Sequence, residues 1–282
     1  MKNVLLTFLA FASCSVFAAP SHCPEQYVGG VAPDIQNQKM AHGFRELCST
    51  GFSVGYSPLV RTPLWSAEHI TAEHVKEQKG LERENTFHPD DRLSHNERAE
   101  LADFIRSGYD RGHMVPSASA WNPQVQNETF ALSNMVPQSP ENNRGLHAHI
   151  EMAVRAWAQK NGDLYVITGP LYRGDSIQWL NSRVAIPTHI FKLVYDPRSK
   201  MAAAYLEENK PGESYKEISL AQLNELAGIN FLPGVSIAGQ LKLAAPLGSG
   251  VIGADGAGRS SHGSTGAEIY TATKIAKHLM RF

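Results

Sequence analysis

The sequence predicts an α+β fold, a central antiparallel or mixed β-sheet flanked by helices. Three observations carry this reading. Segments with strand-like apolar patterning are interleaved with segments of helical period, and the order is mixed rather than a regular βαβ repeat. Hydrophobic residues make up 42% of 282 positions and charged residues 19%, enough apolar content for a sizeable core. The 23 glycines and 16 prolines supply many turns.

The elements follow in chain order. Met1-Lys2 precedes an uncharged apolar run over 4–17, and Phe17-Ala18-Ala19 fits a small-x-small cleavage pattern. This predicts a secretory signal peptide over 1–19, and with it a periplasmic or extracellular protein. The run is shorter than the ~20 apolar residues that span a bilayer, and no second run of membrane length follows. No membrane association is therefore expected after cleavage. Residues 20–282 then form one domain of 263 residues, within single-domain range.

Cleavage removes Cys14 and leaves Cys23 and Cys48, 25 residues apart. In an exported chain they are expected to pair and staple the irregular 20–50 segment, with two free thiols as the alternative. A loop of that size is worth about 3 kcal/mol in the chain-entropy picture. Phe52-Ser53-Val54-Gly55-Tyr56 alternates as a strand. Leu64-Trp65 reads as a strand running into a helix over 67–76. Residues 77–103, rich in both charge signs, read as solvated surface.

Ser139-Pro140-Glu141 opens a helix with a cap, a proline at the first helical position and an acid. Leu146, Ile150, Ala153 and Trp157 form its buried stripe, and Asn161-Gly162 closes it. Residues 164–168 are a strand ended by Gly169-Pro170. Two strands, 189–195 and 201–206, flank a turn at Asp196-Pro197, and 219–226 is a helix. Seven glycines in 248–266 predict a flexible loop, and a helix follows over 267–280.

The 26 basic and 27 acidic side chains give a net charge of −1, and loss of Lys2 takes it to −2. Nucleic-acid binding by bulk positive charge is excluded, but local attraction is not. With no CxxC, redox catalysis and a cysteine-type zinc site are poorly supported.

The chemistry concentrates in Asp110-Arg111-Gly112-His113-Met114-Val115-Pro116, where an acid and a base precede a histidine able to exchange protons near neutral pH. A second cluster is Ser133-Asn134-Met135-Val136-Pro137-Gln138. Asn143, His147, Glu151 and Arg155 then recur every four residues along one helix flank, which taken alone suits an ordinary solvated face.

Taken together with Arg83, Phe87 and Asp90 upstream, and with Val166-Ile167-Thr168-Gly169-Pro170, Ile186-Pro187-Thr188-His189 and Lys192 downstream, these motifs resemble the DNA/RNA non-specific endonucleases. These are the ββα-metal nucleases that include endonuclease G. The resemblance runs from about residue 64 to 231 and suggests a secreted, bacterial-type member. It implies a ββα-metal motif and one-metal hydrolysis of phosphodiester bonds in DNA and RNA, without base reading and leaving 5′-phosphate ends.

It also implies roles. His113 is the general base, and a pKa near ~6.5 suits it without strong tuning. Asn143 is the direct ligand of Mg²⁺, for which Mn²⁺ substitutes, and Glu151 acts on the metal through a water. Arg83 and Arg111 contact phosphate. Arg155 either orients Glu151 or meets phosphate itself. Asp110 and Asn134 are supporting catalytic residues, although Asp110 on residue type alone is also an ordinary turn acid.

Two departures stand out. Phe130 lies where some relatives carry Asn, and His147 lies where relatives commonly carry an aromatic residue, often Trp. His147-x-His149 does not suggest a second metal site, because i and i+2 point about 200° apart on a helix. The alternatives are a non-catalytic nucleic-acid binder that keeps the fold and a zinc hydrolase. The second lacks an HExxH motif among its twelve histidines. Oligomeric state is not readable from the sequence.

Overall fold

The computed structural model describes residues 20–247. The signal-peptide reading, the glycine-rich loop and the 267–280 helix therefore lie outside the described residues.

The sheet strands are β1 (Arg45–Cys48), β2 (Phe52–Ser57) and β3 (Thr62–Ile70), followed by helix α1 (Ala72–Glu77). A short hairpin, β4 (Asp110–His113) and β5 (Met135–Gln138), encloses helix α2 (Pro123–Thr129). Then come α3 (Ala148–Asn161), β6 (Leu164–Leu171), β7 (His189–Asp196), β8 (Met201–Glu208), β9 (Tyr215–Ile218) and α4 (Leu220–Ala227). The main sheet runs β9-β8-β7-β6-β3-β2-β1 and is antiparallel along this path. Gly239–Gln240 adds in parallel beside β8 and makes the sheet mixed.

Each sheet face buries its own core. Trp65, Ile167, Phe191 and Leu206 pack on one face with Leu223 of α4. Val166, Val194 and Tyr205 pack on the other with Ile150 and Val154 of α3. The β4–β5 hairpin seats on that second face through Met114, Val136 and Ile190. Cys23 and Cys48 form a disulfide that ties the N-terminal segment to the end of β1.

Four differences from the sequence reading have physical causes. First, strand β3 extends to Ile70 because Ala67 to Ile70 pair with Ile167 to Leu164, so the helix begins only at Ala72, capped by the Thr71 side chain. Second, strand β6 runs through Gly169-Pro170. A Cβ at Gly169 would lie 2.5 Å from the Leu64 carbonyl and 2.8 Å from the Phe191 ring, so this glycine permits close packing rather than a turn.

Third, the 77–103 segment is not simply solvated. Asp90, Leu93, Ala99 and Asp103 are buried in it. Fourth, the helix predicted from 139 contains one wide π-type turn at Asn143–His147, where Gly145 leaves helical geometry (φ −108°, ψ −107°). That turn breaks the regular four-residue row, but Leu146, Ile150 and Ala153 still face the core and Trp157 packs beside them.

Candidate active site

The hairpin and the helix after it form a ββα unit over the second sheet face. Its register places Gly112 opposite Val136 and His113 opposite Met135. A Cβ on Gly112 would meet Gln138 Oε1 at 2.0 Å, so only glycine fits beneath that side chain. Asn134 is wholly buried. Its Oδ1 accepts from Val115 N at 3.0 Å, and its Nδ2 donates to the carbonyls of Val115 (2.8 Å) and Thr129 (3.0 Å). It clamps the backbone just after His113 and does not line the cleft. Below it, buried Lys192 donates to Thr168 Oγ1 at 2.7 Å and reaches the Met114 carbonyl at 3.5 Å.

A cleft of about 1010 Å³ opens over this unit. Arg83, Asp110, Arg111, His113, Asn143 and Glu151 all line it. His113 meets the Phe130 ring edge-on at 4.9 Å and the Phe87 ring at 5.7 Å. The guanidinium of Arg111 lies 4.0 Å over Phe87, and that of Arg83 lies 5.2 Å over Phe130. Two aromatic rings thus hold two cations and the histidine in one cluster. Phe130, noted in the sequence only as a missing amide, supplies one of these rings. Asp90 fastens the segment after Phe87, accepting from Ser133 Oγ at 2.5 Å and from Arg92 Nη2 at 2.6 Å.

His113 Nε2 is buried without a protein partner, beside the cleft. Burial, then the nearby Arg83, pushes the imidazole down from 6.5 to about 3. The expectation of an untuned base near ~6.5 is therefore corrected: desolvation and cationic neighbours keep His113 neutral.

Across the cleft, Asn143 Nδ2 donates to Asp110 Oδ2 at 2.9 Å, while Arg144 binds the same carboxylate at 2.9 and 2.7 Å. Asp110 is thus no isolated turn acid. It fixes the Asn143 amide, and among the described residues no donor takes Asn143 Oδ1. Glu151 stands nearby, 3.4 Å from His147 Nε2. Burial opposes ionisation of Glu151, but His147 and then Lys192 and Arg155 outweigh it and hold the carboxyl at about 2. His147 in turn is lifted from 6.5 to about 9, Glu207 overcoming the cost of burial. His149 is half-buried on another face, consistent with its spacing from His147.

Arg155 does not line the cleft. Its charge favours the ionised forms of Glu151 and Glu68, and its Nη1 is buried without a partner. Glu207, Asn142 and Gln138 were not recognised as site residues from the sequence. They come from three separate elements: Gln138 ends the second motif on β5, Asn142 lies in the helical turn before Asn143, and Glu207 is a polar residue near the end of the largely apolar β8.

Among the described residues, no group of three His, Cys, Asp or Glu side chains is placed to cage a metal. The donors present are an amide oxygen with no protein donor and one ionised carboxylate. Such hard oxygen ligands fit a cation that keeps most of its own waters.

Comparison with known proteins agrees with this geometry. Residues 34–237 match the family model of the DNA/RNA non-specific endonucleases. The mitochondrial Nuclease 1 of Schizosaccharomyces pombe is 34% identical over 201 residues, covering 64% of this chain and 60% of that protein. Nuclease C1 of Cunninghamella echinulata is 30% identical over 207 residues, covering 66% and 82%. Human mitochondrial endonuclease G is 30% identical over 208 residues, covering 66% and 69%.

The chain therefore spans about three-fifths of the length of the Schizosaccharomyces pombe relative. The crystal structure of an EndoG/EndoGI complex superposes with a TM-score of 0.63 at 27% identity, covering 76% of this chain and 99% of that one. Several of the relatives are mitochondrial nucleases, and this overturns the expectation of a periplasmic or extracellular protein. That expectation rested on the composition of residues 1–19 alone. With the ββα unit, its aromatic-seated arginines and the matching family model, the chain belongs to the DNA/RNA non-specific endonuclease family.

Proposed function

We propose that the protein is an endonuclease that hydrolyses phosphodiester bonds of DNA and RNA without reading bases, assisted by Mg²⁺ or Mn²⁺. The observation that carries this reading is the unpartnered Nε2 of a neutral, buried His113, facing a cleft with two arginines on one side and Asn143 and Glu151 on the other. The names of its relatives accord with a mitochondrial location.

Arg83 and Arg111 would take a phosphate, a reading supported by their lining of the cleft with guanidinium groups seated on Phe130 and Phe87. Contacts of this kind favour backbone over sequence. His113 accepts the proton of the attacking water at Nε2. Burial is the larger cause of the lowered His113 pKa, and an anion between the two arginines would offset only the smaller, charge-based part. Asn143, fixed by Asp110, would offer its amide oxygen to the cation, and ionised Glu151 would act through a water. When bound, the divalent cation supplies charge neutralisation at the phosphate and the leaving oxygen. Cleavage with the leaving group on the 3′ side gives 5′-phosphate ends.

The test is digestion of plasmid, single-stranded DNA and RNA with Mg²⁺, with Mn²⁺ and with a chelator. We expect internal cleavage of all three, abolished by the chelator. Cleavage that survives chelation would overturn the metal-assisted mechanism. No cleavage under any condition would favour a non-catalytic binder.

A further inference from the structure

We propose that His147 is a positioning residue that, pinned by Glu207, aims the Glu151 carboxylate at the cleft and thereby sets the affinity for the divalent cation. This rests on the metal-assisted reading above.

The geometry is a buried polar chain that starts under the catalytic hairpin. Gln138, which covers Gly112, donates from Nε2 to Asn142 Oδ1 at 2.7 Å. Asn142 Nδ2 donates to Glu207 Oε2 at 3.0 Å. The other Glu207 oxygen binds His147 Nδ1, and His147 Nε2 faces Glu151 Oε1 at 3.4 Å. Gln138 and Asn142 are 0% exposed, and the His147 and Glu207 side chains are 1% exposed.

Each link leaves the next little freedom. Both Glu207 oxygens are committed, so its carboxylate does not rotate. A fixed Glu207 sets the plane of the His147 ring, and the remaining ring nitrogen, which has no hydrogen-bond partner, lies within ion-pair distance of Glu151. Glu151 Oε1 thus sits beside the imidazole by charge attraction, while the residue lines the cleft. The same chain begins at the side chain that covers Gly112, next to His113. It therefore sets the general base and the carboxylate relative to each other across the ββα unit.

An imidazole has two ring nitrogens and so can stand between two carboxylates at once. The chain Gln138–Asn142–Glu207–His147–Glu151 is therefore built around the histidine found here. Buried partners that orient a ligand group typically change metal affinity by about 10–100-fold when removed.

The test uses the full chain without nucleic acid and titrates Mn²⁺ by electron paramagnetic resonance. His147→Phe keeps the ring volume but lacks both nitrogens. The double variant His147→Phe/Glu207→Leu also leaves no uncompensated charge, so folding is preserved if the single variant melts. His147→Gln retains one donor. We expect Mn²⁺ to bind the wild type, with affinity falling at least tenfold in His147→Phe or the double variant and partly restored in His147→Gln, while circular dichroism stays native. Affinity within twofold of wild type in a folded variant lacking the imidazole overturns the proposal alone. A wild type that binds no Mn²⁺ overturns the metal-assisted reading and this proposal with it.

Discussion

Substituting Gly112 with alanine tests how tightly the catalytic hairpin is built. The backbone there needs no left-handed conformation, so the effect is one of space. The new Cβ would stand 2.0 Å from Gln138 Oε1, 2.5 Å from its Cβ and 2.9 Å from its Cδ. A contact with Gln138 Cβ is not relieved by rotating the end of the side chain. Either the strands part or Gln138 leaves its site.

Overpacking of this kind costs about 1–3 kcal/mol. Displacing Gln138 also breaks its 2.7 Å bond to buried Asn142, which adds roughly 1–3 kcal/mol for the unpaired group. The total is about 2–6 kcal/mol. For a domain of this size that lowers Tm by roughly 5–20 °C. Thermal melting by circular dichroism measures it, with plasmid cleavage below the transition as the second readout. We expect both to fall, because β4 carries Arg111 and His113 on either side of Gly112. An unchanged Tm and rate would refute the claim that Gln138 packs against this glycine.

The remaining expectations are smaller in scope. Removing the disulfide with Cys23→Ser/Cys48→Ser should cost about 3 kcal/mol, read as a Tm lowered by roughly 6–12 °C under non-reducing conditions. Asn134→Ala leaves buried groups of Val115 and Thr129 unpaired, so we expect about 3–6 kcal/mol of lost stability in urea unfolding, with activity lost in step.

Stability should also show two pH limbs. His147, lifted from 6.5 to about 9, stabilises the fold below 6.5 and loses that contribution as pH rises to 9; His147→Gln should remove this alkaline limb. His113, held at about 3, and Glu151, held at about 2, lose stability as pH falls. Buried Glu68, raised from 4.5 to about 7, opposes His113 between 4.5 and 6.5, so the acid limb should steepen below 4.5. A flat Tm from pH 3 to 9 would contradict these four assignments taken together.

Local features were the legible ones. The strand at β2, the paired strands β7 and β8, and the Ser219-capped helix α4 follow from period and caps, which are properties of adjacent residues. The residues lining the cleft were legible as motifs, because the resemblance places them together even where their spacing does not.

Long-range pairing was not legible. The helix expected over 67–76 yields to strand because β6 supplies hydrogen bonds that no local window contains. Asp90 and Asp103 sit in a charged stretch, and they are buried only because Arg92 and Ser133 meet the first and Arg183 meets the second. Glu207 lies 60 residues from His147, and nothing near either residue announces the pair. The wide turn at Asn143–His147 was hidden by the regular spacing of the polar row it interrupts.

The most direct measurement is the cleavage rate of His113→Ala against wild type, with saturating Mg²⁺ and plasmid DNA, on protein shown to be folded. Removal of a general base of this kind costs about 10²–10⁴-fold. We expect a loss of at least that size with Tm preserved or raised, since a buried imidazole with an unpartnered nitrogen is removed. A folded His113→Ala enzyme that cleaves within tenfold of wild type would contradict the assignment of His113 as the base.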